Sequence, residues 1–302
     1  MKLIKKSLDK LYKKQWTIGI AKTDGFDIIK DDINKLNFFW FPLRTTSQFY
    51  ADPFIHKHKN GNYYIFFENF SYKTNYGKIS LMIVDNEFKV LQQLDVLDTK
   101  SHLSYPFLFH QNNKLFILPE SSKVGDQYSY EFNFETNSLT NKKLIISNEK
   151  LLDPTIIAYK NKFWLFATQR GKDSNAALHI HCADNWDKEF VPHKNNPLKH
   201  SDYGSRPAGN FFFQNDEIYR PAQNCRDFYG KSIIINKIDV LSTNDFKETP
   251  VKEIVAPLKC KFNFGIHTIN ISNDVIVIDG LRRIFNPFDQ LTTFITRKLF
   301  KK

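Results

Sequence analysis

The sequence predicts an all-β fold, a single five-bladed β-propeller, and three observations carry that prediction. One unit, a Pro-marked entrance, an apolar strand, a short polar turn and an aromatic-rich second strand, is written five times, the last two copies more loosely and the fifth without the proline. The copies are ADPFIHKHKNGNYYIFFEN (51–69), SYPFLFHQNNKLFILPES (104–121), LDPTIIAYKNKFWLFATQ (152–169), SRPAGNFFFQNDEIYRPAQ (205–223) and GIHTINISNDVIVIDG (265–280), which begin about 48 to 61 residues apart, the period of a four-stranded blade. Long helical periodicity is absent between residues 40 and 280, which argues against a doubly wound α/β fold.

Each copy is followed by further strand-like sequence, such as GKISLMIVD and FKVLQQLDVL after the first, so every unit can supply four antiparallel strands. The turns are NG (60–61), NN (112–113), NK (161–162) and ND (215–216 and 273–274), residues that tolerate the positive φ of tight hairpins. The fifth copy runs out after two strands, while residues 15–45 hold two unpaired strand candidates, QWTIGIA and LNFFWFPL. Those candidates are expected to complete blade five from the other end and close the ring, so that no sheet edge stays open. The expected organisation is a basic amphipathic helix over 1–14, the propeller over 15–285 and a basic tail over 286–302.

In a propeller, the start of each blade's innermost strand and the end of its antiparallel partner share one rim. The repeat therefore brings together Asp52 with Glu68, Tyr105 with Glu120, Asp153 with Thr168 and Gln169, Arg206 with Arg220 and Gln223, and His267 with Asp279. Convergence of such polar groups on one axis points to a central small-molecule pocket. Each has a plainer reading: an Asp before Pro commonly caps a turn, and Arg206 and His267 can simply neutralise carboxylates across the channel. Trp40, Trp164 and Trp186 are expected in the core. The polar segment RPAQNCRDFYGKSI (220–233) departs most from the repeat and suits a loop over the pocket mouth. Cys225 within it reads as a buried small residue rather than a nucleophile.

The motifs YADPF (50–54), HLSYPFLF (102–109) with LPE (118–120), LDPTII (152–157), SRPAG (205–209), RPAQNC (220–225) with YG (229–230), and GIHT (265–268) resemble the N-terminal domain of glucosamine inositolphosphorylceramide transferases. That domain also occurs in bacterial surface-polysaccharide gene neighbourhoods, and the resemblance implies a role in surface-glycan biosynthesis. In the plant enzymes the sugar-transferring chemistry is assigned to a separate C-terminal domain. A more distant similarity is to the five-bladed glycosidases of glycoside hydrolase family 43, which implies that Asp52 stands where those enzymes place a base and Asp153 where they place a pKa-tuning Asp. Their acid Glu has no clear counterpart, because the fourth entrance carries Arg206. Inverting hydrolysis needs two carboxyls about 6.5–9.5 Å apart; Glu68 or Glu120 can supply the acid from the same rim, and Glu120 is preferred because Glu68 lies beside Asp52 on one blade.

The expected catalytic residues are thus Asp52, Asp153 and Glu120, with Glu68, Tyr105, Arg206, Arg220, Gln223, His267 and Asp279 binding substrate. Arg206, Arg220 and His267 supply cations that suit a phosphate or nucleotide-sugar donor more than a neutral glycan. The leading expectation is sugar transfer from an activated phosphate-containing donor; a glycosidase and a non-catalytic glycan-binding propeller are the alternatives. No metal ligand set is expected, since the chain lacks a calcium loop, although analogy with the hydrolases admits Ca²⁺ near His267.

The 302 residues, 41% hydrophobic with 29 Phe, exclude a disordered chain. Three cysteines, Cys182, Cys225 and Cys260, form no disulfide framework or CxxC pair, and a reducing, cytoplasmic setting is the simpler expectation. No run reaches the roughly 18 apolar residues of a spanning helix. The net charge of +11 suits an anionic partner. Residues 2–14 place Leu3, Ile4, Leu8, Leu11 and Tyr12 on one helical face among six lysines, and the tail ends in RKLFKK, so peripheral contact with an anionic membrane face is expected. Nucleic acid is not, because the basic residues do not alternate with aromatics in a recognisable motif.

Overall fold

The computed structural model describes residues 11–272 and 274–286 as five antiparallel sheets in a ring. Among the described residues the sole regular helix is a single 3₁₀ turn, Ile33–Lys35, capped by the Asp32 side chain accepting from the Asn34 amide at 2.9 Å. The basic segment 1–10 and the tail beyond Asn286 lie outside the described residues. Tyr12, Lys13 and Lys14, which the periodicity places at the end of a helix, instead open a strand.

The first blade is Gln48–Lys57, Tyr63–Ser71, Tyr76–Val84 and Val90–Leu97. The second is Ser104–Gln111, Lys114–Glu120, Gln127–Asn133 and Ser138–Ile146. Leu151–Tyr159, Lys162–Gln169 and Ala177–Ala183 form the third, with its outer strand split into Val191–Pro192 and Lys199–His200. The fourth is Tyr203–Pro207 with Phe212–Gln214, then Glu217–Asn224, Ser232–Leu241 and Phe246–Val255. The hairpin residues adopt the left-handed backbone expected of them, with positive φ at Gly61, Asn112, Asn113, Asn161, Asn215 and Asp216.

Blade five is assembled from both ends of the sequence. Its inner strands are Ile269–Ser272 and Val275–Phe285, and Tyr12–Lys22 pairs with the latter from Tyr12 opposite Phe285 to Lys22 opposite Val275. Phe39–Trp40 is the outer strand. The Trp40 ring lies over Gly280, where an added Cβ would come within 2.5 Å of the indole, so glycine is required there by the close approach.

The core is a set of seams between blades rather than one centre. Ile18, Ile20, Tyr50, Phe67 and Val277 join blade five to blade one; Phe54, Phe66, Phe107 and Ile117 join one to two. Trp164, Phe166 and Ile180 pack against Ile218 and Ile238, joining three to four, while Ile233 and Ile235 meet Ile276 and Ile278, joining four to five. Of the tryptophans expected in the core, Trp164 is buried and Trp40 and Trp186 are partly buried against these seams.

Because Ile18 is fully buried in the closing seam, Ile18→Ala is expected to cost about 2–5 kcal/mol in urea unfolding. Deleting residues 1–24 removes the strand Tyr12–Lys22 and leaves Val275–Phe285 paired only with the short Ile269–Ser272, an open edge that should abolish the single cooperative transition; a truncated chain that melts like the intact one would refute closure.

Candidate functional site

The blade entrances share a backbone device. Strand register slips between Ala51 and Phe54, between Ser104 and Phe107 and between Leu152 and Thr155, each slip spanning an X-Pro pair. The residue before each proline is left-handed, with φ of 51° at Asp52, 44° at Tyr105 and 53° at Asp153. Such a conformation is strained for an L-residue and doubly so before proline, and strain of this kind persists where surrounding contacts over-determine it. Here they do. The amide of Asp52 donates to Asp279 Oδ2 at 3.1 Å, that of Tyr105 to Asp52 Oδ2 at 3.2 Å, and that of Asp153 to Glu120 Oε2 at 3.2 Å. Each bulge thereby sends its freed N–H to a carboxylate of the preceding blade.

His267 lies between two aspartates. Its Nε2 is 3.1 Å from Asp52 Oδ1, and its Nδ1 is 2.8 Å from Asp279 Oδ2 in a contact too bent for a straight hydrogen bond. Burial disfavours the imidazolium, but Asp279 and Asp52 outweigh it and raise the His267 pKa well above its ordinary value. The rings of Trp16 and Tyr229 cover it, with centroids 4.2 and 5.1 Å away. For Asp52 burial works against ionisation; the His267 charge and hydrogen bond, together with the Thr268 hydroxyl at 2.7 Å, prevail and hold the carboxyl below its usual range. Asp52 is a buried carboxylate.

Asp153 is gripped by Arg206, whose Nε donates to Oδ2 at 2.6 Å, and by the Gln223 amide at 2.8 Å. Burial pushes its carboxyl up to about 7, with Arg206 pulling down and Glu120 pushing further up. The other Arg206 nitrogens reach Asn175 Oδ1 at 3.2 Å and lie 3.8 Å from Glu120 Oε2. Glu68 is pushed well above its ordinary value, by burial first and the Asp52 charge second.

These groups surround a cavity of about 800 Å³ at the axis. Asp52, Glu68, Glu120 and Arg206 line it, as do His102 and Ser104. Aromatic walls come from Trp16, Phe49, Phe70, Tyr72 and Tyr229; Phe49 and Phe70 stack on each other at 4.6 Å with planes 9° apart. Lys14 and Arg170 also line it, beside Asn75, Leu152, Gly171 and Ser174, and form no ion pair among the described residues; Arg170 donates to the Ser122 hydroxyl at 3.2 Å.

The remaining expected ligands take other positions. The Tyr105 hydroxyl contacts Thr155 Oγ1 at 2.9 Å and accepts the Gly209 amide at 2.7 Å, away from the cavity lining. Arg220 turns into blade four, where it pairs with Glu248 at 2.7 and 2.8 Å and donates to the Gly204 and Ser205 carbonyls. Asp153, expected to be catalytic, lies behind the lining with Gln223, His267 and Asp279: Gln223 and Arg206 hold Asp153, while His267 and Asp279 hold Asp52. Of the 220–233 segment, Gln223 and Asn224 are buried in a strand and Tyr229 reaches the cavity. Sequence reasoning passed over Trp16, Lys14, His102 and Arg170. His102 and Arg170 flank the repeat motifs, in HLSYP and ATQR, and could have been found by extending the repeat by two residues; Trp16 and Lys14 arrive only through ring closure.

Asp52, His267 and Asp279 are also the one trio of potential metal ligands among the described residues, with ligand atoms within 4.8 Å of one another. The set does not fit calcium, which takes six to eight oxygens: both imidazole nitrogens face carboxylates, and Asp279 already accepts the amides of Asp52, His267 and Thr268.

His267→Gln leaves two buried carboxylates without their cation and should cost about 3–5 kcal/mol. Since the folded His267 pKa is raised, its contribution is complete below the unfolded value of 6.5 and is lost as pH climbs through the folded value, so denaturation curves of wild type and variant should converge at alkaline pH. Arg220→Met should likewise destabilise yet leave ligand affinity unchanged.

The family model described as "Glucosamine inositolphosphorylceramide transferase 1, N-terminal" matches residues 42–268. Glucosamine inositolphosphorylceramide transferase 1 of Oryza sativa subsp. indica is 32% identical over 211 residues, 68% of this chain and 28% of the relative. The Arabidopsis thaliana protein of that name is 32% identical over 212 residues, 68% of this chain and 27% of the relative. The chain thus spans little more than a quarter of the length of these relatives. Among solved structures, an α-L-arabinofuranosidase from Clostridium thermocellum aligns with a TM-score of 0.51 at 10% identity, covering 68% of this chain and 74% of that one. An exo-β-1,3-galactanase from Phanerochaete chrysosporium with galactose aligns at 0.53 and 12%, covering 74% and 58%. At such identities the likeness shows the five-bladed fold. With three quarters of its length matched by the family model, the chain belongs to the family of the N-terminal domain of glucosamine inositolphosphorylceramide transferase 1.

Proposed function

We propose that this propeller is a carbohydrate-active protein of surface-glycan biosynthesis that transfers a glycosyl group from a phosphate-activated donor. The observation that carries the reading is the composition of one cavity: an ionised Asp52, a stacked aromatic wall and two cations, Lys14 and Arg170, that no carboxylate of the described residues neutralises. Asp52 would take the proton of an acceptor hydroxyl as that oxygen attacks the anomeric carbon. The bond to the leaving phosphate would break with its electron pair on the phosphate oxygen, and the two cations would meet the charge that develops there. The Arg206–Asp153 pair would hold Asp153 and Glu120 in place rather than bind donor, because that guanidinium is already engaged.

Glycoside hydrolysis is a second reading, favoured by the second carboxyl in the cavity, Glu68, being pushed toward its neutral form beside an ionised Asp52. Pairs of carboxyls driven apart in pKa are how such enzymes divide acid from base.

Asp52→Asn is expected to keep ligand affinity and lose at least a hundredfold in turnover. A nucleoside diphosphate should raise the melting temperature of the wild type, and Arg170→Ala should weaken that binding about tenfold or more, the loss of a charged hydrogen bond. No stabilisation by the nucleotide, with turnover of simple glycosides retained, would transfer the case to hydrolysis; glycan binding without any turnover would leave a binding propeller.

A further inference from the structure

The two glutamates that line the cavity differ in how they are held. Glu120 is engaged: Oε1 accepts the Ser122 hydroxyl at 2.7 Å and Oε2 the Asp153 amide at 3.2 Å. Glu68 is not. Its Oε1 is buried with no hydrogen-bond partner among the described residues. The His102 Nδ1, 3.7 Å away, already accepts the Gly77 amide at 3.0 Å. That bond makes Nδ1 an acceptor, so a neutral His102 carries its proton on Nε2. Burial keeps His102 neutral, lowering its pKa to about 4. A carboxylate at Glu68 would therefore face a lone pair; the His267 cation favours its charge, but burial and the like charges of Asp52, Glu120 and Asp153 prevail.

The backbone is shaped around this carboxyl. A Cβ at position 77 would collide with Glu68 Oε1 and lie 2.5 Å from the Leu103 carbonyl oxygen, so only glycine leaves room for it. The site admits the glutamate closely and offers its buried oxygen no donor, an arrangement that suits a neutral carboxyl and penalises a charged one.

We propose that Glu68, rather than Glu120, is the proton donor to the leaving oxygen, working with Asp52 from the adjacent strand of the same blade; the assignment rests on the glycosyl-transfer reading above. When the bond between the anomeric carbon and the leaving oxygen breaks, its electron pair stays on that oxygen and the Glu68 proton joins it. The acceptor oxygen forms the new bond to the anomeric carbon and its proton passes to Asp52. Return of a proton from Asp52 to Glu68 through solvent resets the pair. A phosphate leaves readily without this help, whereas an alcohol oxygen does not, so the donor extends the substrate class to glycosides of sugar or lipid alcohols.

The test uses the full chain and Glu68→Gln. Infrared difference spectra at pH 7 should show a protonated-carboxyl band in the wild type that the variant lacks. Its folded pKa being raised, ionisation of the unfolded chain above the ordinary 4.5 favours unfolding, so the variant should gain stability over the wild type as pH rises from there. On nucleotide sugars, 4-nitrophenyl glycosides and methyl glycosides, Glu68→Gln should lose a hundredfold or more with the methyl leaving group and little with the others, whereas Asp52→Asn should lose activity on all. A missing band, or an equal loss across leaving groups, overturns the role of Glu68 while leaving glycosyl transfer standing. A band with no turnover of any substrate by the wild type overturns the transfer reading and the catalytic assignment with it.

Discussion

The bond on which the rest of the structure depends is the one between a bulged backbone amide and a carboxylate of the neighbouring blade. At Asp52, Tyr105 and Asp153 the chain adopts a left-handed residue before proline, a costly choice that frees one N–H per blade from its own sheet. A buried amide must find an acceptor. Asp279, Asp52 and Glu120 are those acceptors, and the same atoms stitch five to one, one to two and two to three. Between three and four the tie changes chemistry, to Arg206 and Gln223 on Asp153. Between four and five it returns to backbone, with the Ile269 amide on the Ala208 carbonyl at 2.8 Å and Asn270 accepting the Asn210 amide at 2.7 Å. Ring closure and polar site are one construction.

That economy explains the electrostatics. Carboxylates needed for stitching are concentrated on the axis, where like charges repel and water is scarce, so each must be compensated differently. Asp52 and Asp279 share the His267 imidazolium, and Asp153 takes a guanidinium. Glu68, which stitches nothing, is left to neutralise itself. The groups with shifted protonation are thus a consequence of the architecture before they are a feature of any reaction, and a reaction that uses them inherits a division into base and acid.

Much of this was legible in the chain. The five copies, four of them Pro-marked, the hairpin turns and the two spare strands near the N-terminus sufficed for the blades and their closure, because hydrophobic alternation and turn chemistry are local. Asp52, Glu68 and Glu120 were placed on the lining by repeat position alone. Arg220 occupies an equivalent position and reads as a ligand, yet its partner Glu248 comes from an outer strand of the same blade, and no local pattern announces that pair. Tyr105 presents the same difficulty: its amide serves the ring while its hydroxyl is spent on Thr155 and Gly209.

What the sequence determined by itself was the fold and the identity of the polar residues sent to the axis, since both follow from periodicity along the chain. Which of those residues face the cavity, which are paired behind it and which carry a proton were decided only by tertiary structure. Side-chain direction at a bulge, the arrival of Trp16 and Lys14 from the closing strand, and the balance between burial and neighbouring charge all depend on atoms far apart in sequence. The physical reason is that electrostatic interaction energies in a low-dielectric interior are set by distance and exclusion of water, neither of which is written in any single blade.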